Sequence, residues 1–166
     1  MIKSLVIFMS VFAIPIAHAP ESQEHVKNNM KYTVLAIRYI GESDKPVPAV
    51  VISDSEAGAE WYRTEVLKRS KSWKVFTYEH AVSAALLKKL IEEAESFEDT
   101  VRREQEKTPG SGKDVSVTII TPQGEKTFFY DTELAISLLV SLQKHCKGDE
   151  SLRSDLLKLQ NRIRPL

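Results

Sequence analysis

Histidine is the side chain most ready to exchange a proton near neutral pH, so the four histidines of this chain are its first candidates for chemistry. His80 follows Glu79 where a strand reads as passing into a helix, a position for a general base or a ligand assisted from elsewhere in the fold. The sequence shows no partner for it, and a helix cap or a partly exposed surface group is the plainer reading. His145 precedes Cys146, a pair of the right types for a soft metal. Adjacent residues on a helix point about 100° apart, however, and do not converge on one ion. His25 lies in a polar stretch and reads as solvated.

Four acids form the next candidate group. Asp54, Glu56, Asp131 and Glu133 all stand at expected helix starts just after expected strands, which would collect them along one edge of a sheet. Two carboxylates held roughly 5 to 9 Å apart are what glycoside hydrolysis requires. Capping and the helix dipole explain acids at such positions without any catalytic role. Trp61, Tyr62 and Trp73 are of the types that anchor protein interfaces, and they equally suit a core. The spacings that would be diagnostic are missing: no Gly-x-Ser-x-Gly elbow, no His-Glu-x-x-His helix, no Cys-x-x-Cys, and no phosphate loop, since residues 109–112 lack the following apolar helix. The sequence therefore assigns no catalytic residue, no metal ligand and no cofactor, and it leaves the binding surface unspecified.

The elements that would carry these residues read as α+β. Residues 31–40 form an almost continuously apolar run rich in β-formers, which predicts a central strand covered on both faces. Residues 49–52 give a second, shorter strand, with turn residues between the two suiting a loose hairpin. Ser53, Asp54 and Ser55 offer capping groups for a helix over 56–69, whose apolar face (Ala59, Tyr62, Val66) is thin. A third strand is expected over 73–78, with Phe76 and Tyr78 on one side and Val75 and Thr77 on the other.

The clearest helix is expected over 80–97, where Val82, Leu86, Leu90, Ala94 and Phe97 recur at three- and four-residue spacing. Residues 98–107 are nearly all charged and suit either its continuation or a loop. Residues 115–130 read as a β-hairpin turning at 121–124. Asp131 can cap a helix lined by Leu134, Leu138 and Leu142, and Gly148 suits its stop. A last helix carries Leu152, Leu156, Leu159 and Ile163 and should fold back as a helical hairpin, with a homodimer seam as its secondary use. The expected whole is a mainly antiparallel sheet of about five strands with helices packed on one face and a C-terminal helical hairpin.

The chain's opening residues decide its expected address. Lys3 followed by an apolar run over 5–16, and then Ala17-His18-Ala19, has the build of a secretory signal peptide cleaved near Ala19. The run is too short to span a membrane, and Pro20 is an awkward residue just beyond the scissile bond. A polar lead-in over 20–30 precedes a single domain over 31–166. The 23 basic and 23 acidic residues balance, which argues against nucleic acid or anionic membrane as a partner. One cysteine, Cys146, excludes an internal disulfide and reads as a small apolar helix residue. These features together suggest a secreted or periplasmic, non-catalytic binding or accessory domain acting on a protein or envelope partner. The alternative is a small secreted hydrolase with dispersed residues including His80.

Overall fold

In the computed structural model, residues 31–40, 47–70, 75–105 and 114–163 are described. The expected leader, the lead-in and Trp73 lie outside them. Strands β1 (Val34–Tyr39) and β2 (Val47–Ser53) are followed by α1 (Glu56–Ser70), β3 (Val75–Ala81) and α2 (Ala84–Gln105). Strands β4 (Val115–Thr121) and β5 (Gly124–Tyr130) and helices α3 (Thr132–His145) and α4 (Glu150–Ile163) complete the order. The strands join in one sheet in the order β3-β2-β1-β4-β5. Its β1–β2, β1–β4 and β4–β5 pairs are antiparallel, and only β2–β3 is parallel.

The apolar run of β1 puts it at the centre of the sheet. Alternate side chains point to opposite faces, and both sets are buried here: Leu35 and Ile37 in one core cluster, Val34 and Ala36 in another. The larger cluster joins the Leu35 face to the apolar stripes of α2, α3 and α4, including Leu87, Leu90, Leu138, Leu142, Leu152 and Leu156. The smaller one joins Val34, Ala36, Val51 and Ile120 to Ala59 of α1, with Tyr32, Trp61 and Tyr62 packed against it. The expected mainly antiparallel α+β architecture with its C-terminal helical hairpin is thus formed. Gathering of helices on one face holds for α2, α3 and α4, while α1 lies across the other. The parallel β2–β3 pair accounts for α1, because parallel neighbours need a crossover that passes over a face of the sheet.

Two boundaries move from their expected places. Strand β3 runs on through His80 to Ala81, because its parallel pairing with β2 continues to Ser53. Helix α2 consequently starts at Ala84 rather than at residue 80, capped by the Ser83 hydroxyl, which accepts from the Leu86 N–H at 3.2 Å. At its other end α2 continues through the charged stretch to Gln105, held to the core there by buried Val101.

The remaining caps follow the sequence. Asp131 accepts from the Leu134 N–H at 2.8 Å and Asp149 from the Leu152 N–H at 3.0 Å. Gly148, at φ +93°, takes the left-handed conformation between α3 and α4. The leucine stripe of α4 is buried within the chain, at Leu152, Leu156, Leu159 and Ile163, so those side chains are not available as a homodimer seam.

Candidate functional site

His80 does acquire a partner, from the far end of the chain. It projects from β3 on the three-helix face, and its Nε2 lies 2.9 Å from an Asp155 carboxylate oxygen on α4. Their side chains are only 10 and 13 % exposed. The other Asp155 oxygen accepts from Lys158 at 2.7 Å, and Lys158 in turn lies over the Tyr78 ring, 5.5 Å from its centre. Arg162, one turn further along α4, lies over Phe76. Together these contacts lash α4 to the sheet-edge strand β3. A nucleophilic triad needs a hydroxyl or thiol on the imidazole, and no such group among the described residues bonds to His80.

His145 has a different role from its neighbour. Its Nε2 lies 3.2 Å from one oxygen of Glu93 on α2, while the Ser141 hydroxyl donates to the other oxygen. Serine, histidine and carboxylate are all present, but both Ser141 and His145 address the acid instead of each other, so the histidine is not placed to activate the serine. The hydrogen bond from Ser141, then His145 and Lys144, outweigh burial and hold the Glu93 carboxyl below its usual value. The cluster is a clamp between α2 and α3. Cys146 points into the core, fully buried, and donates to the Leu142 carbonyl at 3.4 Å. Burial raises its thiol to about 11, which leaves almost no thiolate at neutral pH.

The expected gathering of acids along one sheet edge does not occur. Ser53, which precedes Asp54, pairs with Val34 at the start of β1, whereas Tyr130, which precedes Asp131, pairs with Val115, itself opposite Tyr39 at the end of β1. The two acid pairs therefore stand at opposite ends of the strands, roughly 17 Å apart by strand rise. That separation excludes a glycosidase pair drawn from both. Asp54 instead accepts from the Thr33 N–H at 3.0 Å, and Asp131 is a cap.

A groove with both aromatic and charged lining lies on the α1 face. Helix α1 sits over β1, β2 and β3, so among the described residues the β4–β5 half of that face has no helix above it. The result is a groove of about 260 Å³ walled on one side by Trp61, Tyr62 and Val66 of α1 and floored by Ser116, Thr118, Thr127 and Phe129. Phe129 is 46 % exposed. Arg38, projecting from the end of β1 into the same groove, has its Nε buried without a hydrogen-bond acceptor. Glu125 stands at the other end of the floor, opposite Ile120.

No protein family, curated protein or solved structure matches this chain.

Of the residues singled out in sequence, Trp61 and Tyr62 do line this groove, half-buried. His80 and the four acids lie elsewhere. Arg38, Phe129 and Asp155 carry no motif. The one available signal for Arg38 was its place as a lone cation inside an otherwise apolar central strand, where a charge is costly unless it is used.

Proposed function

We propose that this chain is an exported, non-catalytic binding module that engages a protein partner through the open half of the sheet beside α1. The observation that carries the reading is the combination of exposed Phe129 and half-buried Trp61 and Tyr62 with Arg38, whose buried Nε lacks an acceptor, all within one groove. Aromatic and arginine side chains at a concave centre are the usual energetic anchors of protein interfaces. The Arg38 guanidinium lining the groove offers a partner's acceptor a charge-assisted bond. Export is the reading supported by the charged, apolar and small-residue order of residues 1–19. No helix among the described residues is long and apolar enough to cross a membrane.

A hydrolase centred on His80 is the competing reading, favoured by the His80–Asp155 pair. That carboxylate also serves Lys158, and the pair fastens two elements together. The two readings separate in one experiment. Affinity capture from the envelope fraction of producing cells is run with the wild type, Phe129→Glu and Val140→Glu, the last altering an exposed apolar residue of α3 away from the groove. One protein retained by the wild type and Val140→Glu but lost with Phe129→Glu supports the binding reading. Equal retention by all three, or turnover of a small substrate abolished in His80→Ala, contradicts it.

A further inference from the structure

From the polarity of this groove we infer that its ligand is an extended peptide segment carrying an acidic group at one end and a basic group about four residues away, with apolar side chains between. The inference rests on the binding reading above and specifies the chemistry of the ligand.

The rows of the sheet set the length. Arg38, Ser116 and Phe129 form one row across β1, β4 and β5, and Val34, Ile120 and Glu125 form another, four residues away along β1. At about 3.3 Å per residue the rows lie about 13 Å apart. The groove therefore has a cation at one end and an anion at the other, separated by the span of four extended residues. Between them lies Thr127, whose hydroxyl is 3.1 Å from that of Thr118, with the Trp61 and Tyr62 wall alongside.

The charges differ in how far they are already satisfied. Glu65 also lines the groove, but its carboxylate is taken by Lys68 at 3.0 Å. Arg38 is the one cation among the residues lining the groove, and its guanidinium offers an arriving carboxylate a charge-assisted bond. Glu125 is exposed at the sheet-edge strand and favours an ammonium or guanidinium. An anion alone would meet Arg38 but gain nothing at Glu125. A purely apolar ligand would cover Phe129 and leave Arg38 unpaired at greater cost. A segment with both charges at this spacing meets every demand.

The test uses the protein as purified from producing cells and three synthetic peptides: acetyl-Asp-Phe-Ser-Phe-Lys-amide, its reversed sequence, and the neutral acetyl-Asn-Phe-Ser-Phe-Gln-amide. Binding is followed by the NMR shifts of the Trp61 indole and Arg38 Nε–H signals. One of the two charged peptides should shift both signals and bind at least tenfold more tightly than the neutral one. That advantage should vanish in Arg38→Met and shrink severalfold in Glu125→Gln, a surface change that leaves the core untouched. Equal binding of charged and neutral peptides, no shift with any peptide at millimolar concentration, or an advantage left undiminished in Glu125→Gln would overturn the inference. If the peptides fail while Phe129-dependent capture succeeds, the ligand chemistry is wrong and the binding reading stands. Failure of both removes the reading itself.

Discussion

Replacing Gly58 by alanine tests the seating of α1, and with it one wall of the groove. On an exposed helix surface this change should stabilise by about 1 kcal/mol, since alanine is the better helix former. Gly58 has no left-handed backbone conformation to protect, because only Gly124 and Gly148 show positive φ among the described residues. Its reason for being glycine lies underneath. An added Cβ would fall 2.8 and 2.9 Å from two atoms of the Tyr32 ring and closer still to the Ser53 hydroxyl oxygen. Real carbon contacts do not reach those separations, so either α1 lifts from the sheet or Tyr32 leaves its place against Trp61, 6.0 Å between ring centres. Overpacking of this kind costs about 1–3 kcal/mol. Because the space is closed by the inner edge of the Tyr32 ring and by the Ser53 hydroxyl, which the Ser55 N–H holds in place, and not by the free end of a flexible side chain, the upper half of that range applies, and after the propensity gain a net loss of about 1–2 kcal/mol remains. Urea unfolding followed by circular dichroism should show a lower midpoint with an unchanged slope, and the melting temperature should fall by roughly 3–8 °C. Ser53→Ala removes the nearest clashing atom, so the double variant should lose less than the two single losses combined. A Gly58→Ala variant more stable than the wild type would refute the placement of α1.

Other expectations follow from buried polar groups. The Tyr130 hydroxyl is buried without a hydrogen bond of ordinary geometry, and burial followed by the nearby Glu98 charge raises its ionisation well above the usual phenol range. Tyr130→Phe keeps the edge-on packing against Phe97 and should therefore be neutral or stabilising by about 1 kcal/mol, a comparable loss of stability counting against that environment. Glu93 ionises more readily in the folded chain than when unfolded, so its contribution is present above the usual carboxylate range and is lost as pH falls through its depressed folded value. Glu93→Gln should accordingly destabilise at pH 7 and lose that effect progressively as pH falls below the ordinary carboxylate range, whereas a penalty independent of pH would contradict the Ser141–His145 clamp. Cys146, fully buried with its thiol raised to about 11, should react with a thiol reagent only at the rate of unfolding, and rapid labelling of the native protein would contradict its placement.

Much of the architecture was legible because each signal was local. The apolar run of β1 announced a strand buried on both faces, Asp131 and Gly148 marked where α3 starts and stops, and the alternation of Val115, Val117 and Ile119 marked the hairpin. Where α2 begins was not legible, because residues 80–82 satisfy a helical pattern as well as a strand, and the pairing of Ala81 with Ser53 decides between them. The position of α1 was equally hidden, since its thin apolar face reads as weak until Tyr32 and Ala36 are known to lie beneath it. Functional residues fared worse for the same reason. His80 was visible by type, but Asp155 lies 75 residues away and carries no motif. Arg38 and Glu125 become two ends of one groove only after the β1–β4–β5 register is fixed, and that register depends on the whole sheet.

The binding reading is tested most directly by where a partner touches the molecule. A photoreactive amino acid placed at Phe129, and separately at Val140, is activated in producing cells, and the adducts are compared with and without Arg38→Met. A discrete protein adduct from position 129 that disappears with Arg38→Met, and that position 140 does not yield, is the outcome expected. The same adduct from both positions, or one at 129 that is indifferent to Arg38, would contradict a partner seated in the groove.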